Sequence, residues 1–170
     1  MNLTTARLHL RPIRTEDAEV VHELWTNDHV RRFLFDDRCV SLEETRAYIE
    51  ASLASFEQRG YGLWLIFLRQ TEALAGFAGL LSSTTQAPNL IYGIHPELCG
   101  NGYATEAATA VVRYAIETLG LSLVKADVDE PNAGSIRVLE KVGMKQVNRA
   151  MVKKRWLLYY EILCVSVPLW

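Results

Sequence analysis

Apolar and polar positions alternate at Leu8, Leu10 and Pro12, the pattern of a short half-buried strand. The period then changes. Thr15 can cap a helix with Glu16 and Asp17 in its first turn, and Ala18, Val21 and Trp25 line one face behind it. Ser41 and Glu44 have the spacing of a capping box. Ile49, Leu53 and Phe56 continue that helix as an apolar stripe, and Gly60 is placed to end it. WLIFL (64–68) and LAGFAGLL (74–81), separated by RQTEA, predict a hairpin, and NLIYGI (89–94) predicts another strand. From Tyr103 a long helix keeps Ala104, Ala108, Val111, Ala115 and Leu119 on one face until Gly120. LVKADV (123–128) reads as a strand, and Ser135 to Val142 as a short helix ending at Gly143. The last 25 residues read as two strands joined by the basic turn KKR (153–155). The order β-α-α-β-β-β-α-β-α-β-β predicts a mixed α/β (α+β) domain with antiparallel pairing early and late. No repeat, linker or low-complexity block divides it, so residues 1–170 are expected to form one domain.

Composition agrees with a single globule. The 170 residues are 49% hydrophobic and 22% charged, enough for a real core. A net charge of −2 gives no electrostatic case for nucleic acid or an anionic membrane as partner. Cys39, Cys99 and Cys164 are odd in number and widely spaced, which argues for a reducing compartment rather than a disulfide framework. The opening MNLTTARLHLRPIR is not a signal peptide, and no apolar stretch is long enough to span a bilayer. The expectation is a cytoplasmic protein. No His, Cys or carboxylate cluster has metal-ligand spacing, so no metal is expected.

Candidate chemistry concentrates in CGNGYATEA (99–107), between a strand and a helix. The first turn of a helix carries unpaired N–H groups and a partial positive charge. Glycines let a ligand reach that bare backbone, and together these features make an anion site suited to phosphate. Thr105 can add a hydroxyl. On spacing alone, a plain tight turn at Gly100 and Gly102 explains the stretch equally well. No lysine follows the glycines as a P-loop requires. A dinucleotide fingerprint, with Asp127 as its acidic residue, is disfavoured by Thr105 at the third position and by the motif's place after a hairpin.

A second motif, PNAGSIRVLEKVGM (131–144), decides between these readings. With His95-Pro96-Glu97, Gly100 through Ala107, Asn132, Ser135, Arg137 through Lys141 and Gly143, the chain resembles the GNAT N-acetyltransferases. Within them it resembles the RimJ/RimL-like branch, which acetylates ribosomal-protein N-termini. The opening LHLRPIRTEDA also resembles that family, and the likeness runs from about residue 7 to about 167, with a motif core at about 89–144. The resemblance implies a mostly antiparallel sheet with a central splay, flanked by about four helices. It implies acetyl-CoA as acetyl donor, with no metal. Cys99, Gly100, Asn101, Gly102, Tyr103, Ala104 and Thr105 would hold the pyrophosphate. The strand edge at Tyr92, Gly93 and Ile94 would pair with the pantetheine arm as a short added strand does. Asn132 would contact the same arm, or cap the following helix, or both. Trp25, Phe33, Phe35 and the Asp36-Asp37 pair fall in the region that walls the amine acceptor's pocket, although aromatics there more often belong to the core and the aspartates to a solvated loop.

The implied reaction is direct attack of a neutral primary amine on a thioester. A backbone N–H of the Tyr92–Ile94 strand would stabilise the oxyanion. Where the superfamily often carries a tyrosine to protonate the thiolate, this chain has Leu139, and Ser135 is the substitute that the branch suggests. Where a glutamate base is common, this chain has Asn89, which can orient an amine or a water. Glu97 and Asp129 are carboxylates that can act through water. A Cys–His pair of Cys99 with His95 is disfavoured by Pro96 between them. The expected partner is an amine acceptor, a protein N-terminus or a small molecule, for a monomer or homodimer. A catalytically weak acyl-CoA-binding protein of the same fold is the alternative that Asn89 and Leu139 suggest.

Overall fold

The computed structural model describes residues 1–82 and 87–163. Its strands are β1 (Leu3–Thr4), β2 (Leu8–Pro12), β3 (Leu63–Leu68), β4 (Leu74–Leu81), β5 (Asn89–Ile94), β6 (Leu123–Asp129), β7 (Lys145–Val152) and β8 (Arg155–Leu163). They form one mixed sheet in the order β1-β2-β3-β4-β5-β6-β8-β7. All neighbours pair antiparallel except β5 and β6, which pair in parallel. The helices are α1 (Ala18–Thr26), α2 (Asp28–Arg31), α3 (Leu42–Arg59), α4 (Tyr103–Arg113) and α5 (Ala133–Val142).

The sheet divides the core in two. Trp64, Ile66, Ala78, Leu80 and Leu90 pack with Ala107, Ala108 and Val111 of α4 on one face. Leu63, Leu65 and Phe77 pack with Val21, Leu24 and Trp25 of α1 and Ile49 of α3 on the other. This is the period-2 alternation of a strand buried on both faces. The register slips by one between Ile66 and Phe67, where Leu74 rather than Ala75 pairs with Phe67. That bulge turns Ala75 toward the α4 face although Phe77 points the other way.

Local signals account for most boundaries. The Ser41 hydroxyl accepts from Glu44 N at 3.1 Å, and the Glu44 carboxylate accepts from Ser41 N at 2.7 Å, closing the capping box. Gly60 ends α3 at φ 77°, and its carbonyl accepts from the Tyr114 hydroxyl at 2.7 Å. Thr15 does not cap α1. Residues Thr15–Asp17 form a 3₁₀ turn, and the Asp17 carboxylate reaches back to Arg14 N at 2.7 Å. Asp17 also takes a bidentate bond from Arg11, both contacts at 2.7 Å, and this charge-assisted pair outcompetes the threonine hydroxyl. The helix from Tyr103 is α-helical to Arg113 and then widens to a π turn over Tyr114–Thr118 before Gly120. The two-residue β1 and the four-residue α2 are too short to leave a periodic signal. Cys164 lies outside the described residues.

Candidate active site

The loop after β5 has the form of an open cradle. Pro96–Leu98 make a 3₁₀ turn, and Gly100 and Gly102 follow at φ 80° and 81°, a region where glycine carries no penalty. A side chain built at Gly100 would meet nothing within 4 Å. Gly102 is the N-cap of α4 and supplies no side-chain cap, so the first-turn N–H groups of Tyr103, Ala104 and Thr105 have no acceptor within the helix. Asn101 braces the loop from within, donating to the carbonyls of Leu98 at 3.0 Å and Cys99 at 3.3 Å.

The acidic residue in that first turn does not compete for the cradle. Glu106 turns back toward the β1–β2 connection, where its carboxylate accepts from Thr5 Oγ1 at 2.6 Å, Arg7 N at 2.9 Å and Arg7 Nε at 2.7 Å. Burial raises its pKa, but these donors together outweigh that and hold it below the usual carboxylate range. Arg7 also donates to Asn101 O at 2.9 Å and lies 4.6 Å above the Tyr103 ring. Sequence reasoning missed Arg7, which has no motif of its own and is almost a hundred residues from the loop it holds.

Cys99 is not paired with the His95 ring. Its sulfur lies 3.6 Å from His29 Nε2 and 3.6 Å from the His95 carbonyl. The residue keeps solvent contact, yet partial desolvation of the sulfur pushes the thiol's pKa up, the opposite of nucleophile activation.

Beside the loop the sheet forks. β5 and β6 pair only at Asn89 and Lys125, reinforced by Lys125 N donating to Pro88 O at 2.9 Å. From Leu90 to Ile94 the β5 edge that faces β6 has no strand partner among the described residues. Along β5, Leu90, Tyr92 and Ile94 join the α4 face, whereas Ile91 packs on the opposite face. Asn89 and Gly93 therefore share the Ile91 side. Gly93 is glycine for a packing reason too: a Cβ there would fall 2.6 Å from the Phe77 ring.

One bond spans the open end of the fork. The Tyr92 hydroxyl donates to the Ser135 carbonyl at 3.0 Å. Burial pushes the Tyr92 phenol far above its ordinary range, so it remains a donor at any physiological pH. Asn132 accepts from Ser135 N at 3.1 Å and caps α5, and its own N–H donates to Asp129 O at 2.8 Å. The structure thus gathers Tyr92, Asn132 and Ser135 at one end, and Asn89 stands at the closed end on the other sheet face. Leu139 is 1% exposed and belongs to the core. Glu97 is exposed in the loop's 3₁₀ turn.

On the Asn89 side of β6 lies a cavity of about 630 Å³, walled by the chain after α2, the end of β6 and the β7–β8 turn. Phe33 lines it, but Trp25 and Phe35 belong to the core, where their rings meet edge-on at 5.5 Å. Phe35, Asp36 and Asp37 all take left-handed φ values of 54°, 57° and 62°. Such a run is costly for non-glycine residues and must be held by neighbours. Arg155 binds the Asp36 carboxylate directly, Lys153 Nζ approaches it at 3.4 Å, and Arg31 donates to Asp37 O at 2.9 Å. The same Arg155 donates to Asp129 at 3.1 Å. Among the described residues no three His, Cys, Asp or Glu side chains are grouped as metal ligands, and no helix is long and apolar enough to cross a membrane.

The chain is similar to known acetyltransferases. The family described as an acetyltransferase (GNAT) domain matches residues 7–145. The uncharacterized N-acetyltransferase YoaA of Bacillus subtilis (strain 168) is 34% identical over 146 residues, covering 85% of this chain and 82% of that protein. Spermidine N(1)-acetyltransferase of Escherichia coli (strain K12) is 26% identical over 136 residues, covering 79% and 70%. Among solved structures, the ribosomal alpha-N-protein acetyltransferase RimL in complex with coenzyme A superposes with a TM-score of 0.81 at 17% identity, covering 96% of this chain and 98% of that one.

Proposed function

The chain belongs to the GNAT acetyltransferase family and is an acetyl-CoA-dependent N-acetyltransferase, and from that premise we propose that it acetylates a primary amine of low pKa, a protein N-terminal α-amine above all, by direct attack in a ternary complex. The observation that carries this is the bare α4 N-terminus standing beside an unpaired strand edge. N–H groups without an acceptor in the helix and the helix dipole suit a pyrophosphate, and the free β5 edge suits a chain of amide groups. Gly100, with open space where a side chain would stand, fits close approach by such a ligand.

Each residue then has a task. The amides of Cys99 to Thr105 bind the diphosphate of acetyl-CoA. The Tyr92–Ile94 edge orients the pantetheine arm and offers an N–H to the developing oxyanion. Asn132, whose oxygen is committed to capping α5, keeps its amide N–H₂ to donate. Ser135 donates to the leaving sulfur. The C–N bond forms on the thioester carbonyl to give the oxyanion, and its collapse breaks the C–S bond. The acceptor ammonium loses one proton to solvent before attack, and a second goes to the thiolate.

Asn89 bears on the acceptor. It cannot take a proton, so the amine must give up its own to solvent before it attacks. An α-amine with pKa near 8 is about one-tenth neutral at pH 7, whereas a lysine near 10.4 is neutral to less than about one part in a thousand. This supports an α-amine, in the manner of the RimJ/RimL-like branch, and a cytoplasmic setting goes with it. CoA release measured over a panel of amines tests the reading. Saturable acetyl-CoA binding without turnover on any amine would favour an acyl-CoA-binding protein instead, as buried Leu139 in place of a hydroxyl residue suggests.

A further inference from the structure

The cavity beside β6 has an unusual charge pattern. Asp129 is 8% exposed and lines it, and its Oδ1 has no hydrogen-bond partner among the described residues. A carboxylate so buried is stable only with its charge answered, and Arg155 answers one oxygen of two, at 3.1 Å to Oδ2. The other acidic groups around the cavity are already paired. Asp36 is held by Arg155 and Lys153, Asp37 by Arg31 at 3.5 Å, and Glu130 by Arg149 at 2.8 Å. Arg32 and Lys154 also line the cavity, and among the described residues neither has an ion-pair partner. The walls therefore offer one incomplete buried anion and two cations without a carboxylate partner among the described residues, Arg32 lying 5.3 Å over the Phe33 ring.

Resting on the acetyltransferase reading, we propose that the acceptor is an amine with an anionic group close by. Its ammonium completes the Asp129 carboxylate, sharing that site with the Arg155 guanidinium. Its carboxylate, or an acidic residue next to it, meets Arg32 and Lys154 at the rim. Three features favour this class over a polycation. Asp129 gives a single ammonium a buried partner. A second cation of a polyamine would fall among Arg32, Lys153 and Lys154. The carboxylates that would otherwise attract it already carry their own guanidinium or ammonium partners. Asp129, Lys125 and Asn89 share one side of the sheet by strand parity, so the ammonium seat lies on the side where Asn89 stands. Two sources supply such an acceptor: a free α-amino acid, and a peptide N-terminus followed by acidic residues.

The test measures kcat/KM at low salt, with saturating acetyl-CoA, for free serine, the amidated peptides Ser-Glu-Glu and Ser-Lys-Lys, and spermidine. The expected result is that Ser-Glu-Glu exceeds Ser-Lys-Lys and spermidine by about tenfold, as two favourable rim charges warrant. Free serine against Ser-Glu-Glu tells which source supplies the anion. Lys154→Asp, at a left-handed turn position that aspartate tolerates, should erase most of the preference. Asp129→Asn should raise KM for every amine about tenfold or more. If Asp129→Asn fails to fold, Lys154→Asp at the exposed turn still decides the test. A preference for spermidine or Ser-Lys-Lys overturns the inference, as does an unchanged preference in Lys154→Asp or no turnover on any of the four by a chain that binds acetyl-CoA. A chain that binds no acetyl-CoA in calorimetry would instead overturn the proposed function itself.

Discussion

The guanidinium of Arg7 lies 2.7 Å from the carboxylate of Glu106, joining the start of β2 to the first turn of α4 across the proposed pyrophosphate site. The pair does two things at once. It draws an acidic side chain away from the helix N-terminus, where a bound phosphate would meet it, and it pins the loop through Asn101 O. Arg7→Ala should therefore raise KM for acetyl-CoA several-fold while kcat changes little. Arg7→Lys should restore little of it, because an ammonium cannot serve the carboxylate, the carbonyl and the Tyr103 ring together. Steady-state kinetics with acetyl-CoA as varied substrate checks this. A fall in kcat at constant KM would remove the loop-positioning role.

Tyr92→Phe removes the bond across the open fork and takes from the Ser135 carbonyl the hydroxyl donor it has besides its helix. A stability loss of about 1–3 kcal/mol is expected in urea unfolding. Because that bond positions Ser135, kcat should fall too. Ser135→Ala should lower kcat on the order of a hundredfold with acetyl-CoA binding unchanged, when chemistry is rate-limiting. An unaltered turnover number would leave Ser135 as a helix residue only.

Acid stability should report the Arg11–Asp17 pair. Burial raises the Asp17 pKa, but the Arg11 and Arg14 donors outweigh it and hold the group below the ordinary carboxylate range. A depressed folded-state pKa contributes stability above the unfolded value, near 3.9, and loses it as pH falls through the folded value. Asp17→Asn should cost roughly 3 kcal/mol at pH 7, and the gap to wild type should shrink below about pH 4. Urea unfolding of both proteins at several pH values measures it. A gap that stays constant to pH 2 would assign the cost to packing alone.

Asn89→Glu restores a carboxylate at the closed end of the fork. In the wild type, kcat/KM should climb with pH to a plateau near the acceptor's own pKa, about two units higher for a lysine-like amine than for an α-amine. The variant should add a lower apparent pKa and help lysine-like acceptors more. An acceptor-independent ionisation well below the amine pKa in the wild type would point to a base elsewhere, with Glu97 and Asp129 the first to mutate.

The parts of the fold that sequence made legible are those whose physics is local. Ser41 with Glu44, Gly60 after α3 and the Gly100–Gly102 approach to α4 each act within a few residues of their own position, so spacing alone exposes them. What stayed hidden was long-range. Arg7 meets Glu106, Cys99 meets His29 and Arg155 meets both Asp36 and Asp129 only once the sheet order is set, and no period in the chain encodes that order. The charge around the cavity stayed hidden for the same reason: Asp36 and Asp37 read as a solvated loop until the β7–β8 turn brings Lys153 and Arg155 against them.

The central claim is that the glycine loop and the α4 N-terminus hold the diphosphate of acetyl-CoA. Calorimetric titration of acetyl-CoA into the wild type and Gly100→Asn tests it most directly. Asparagine tolerates the left-handed φ of 80° at this position, and its side chain would stand in the space the ligand needs. The account predicts saturable one-to-one binding by the wild type and about tenfold or greater loss in a variant whose thermal unfolding is nearly unchanged. Wild-type affinity in the folded variant, or no binding by the wild type, would contradict it.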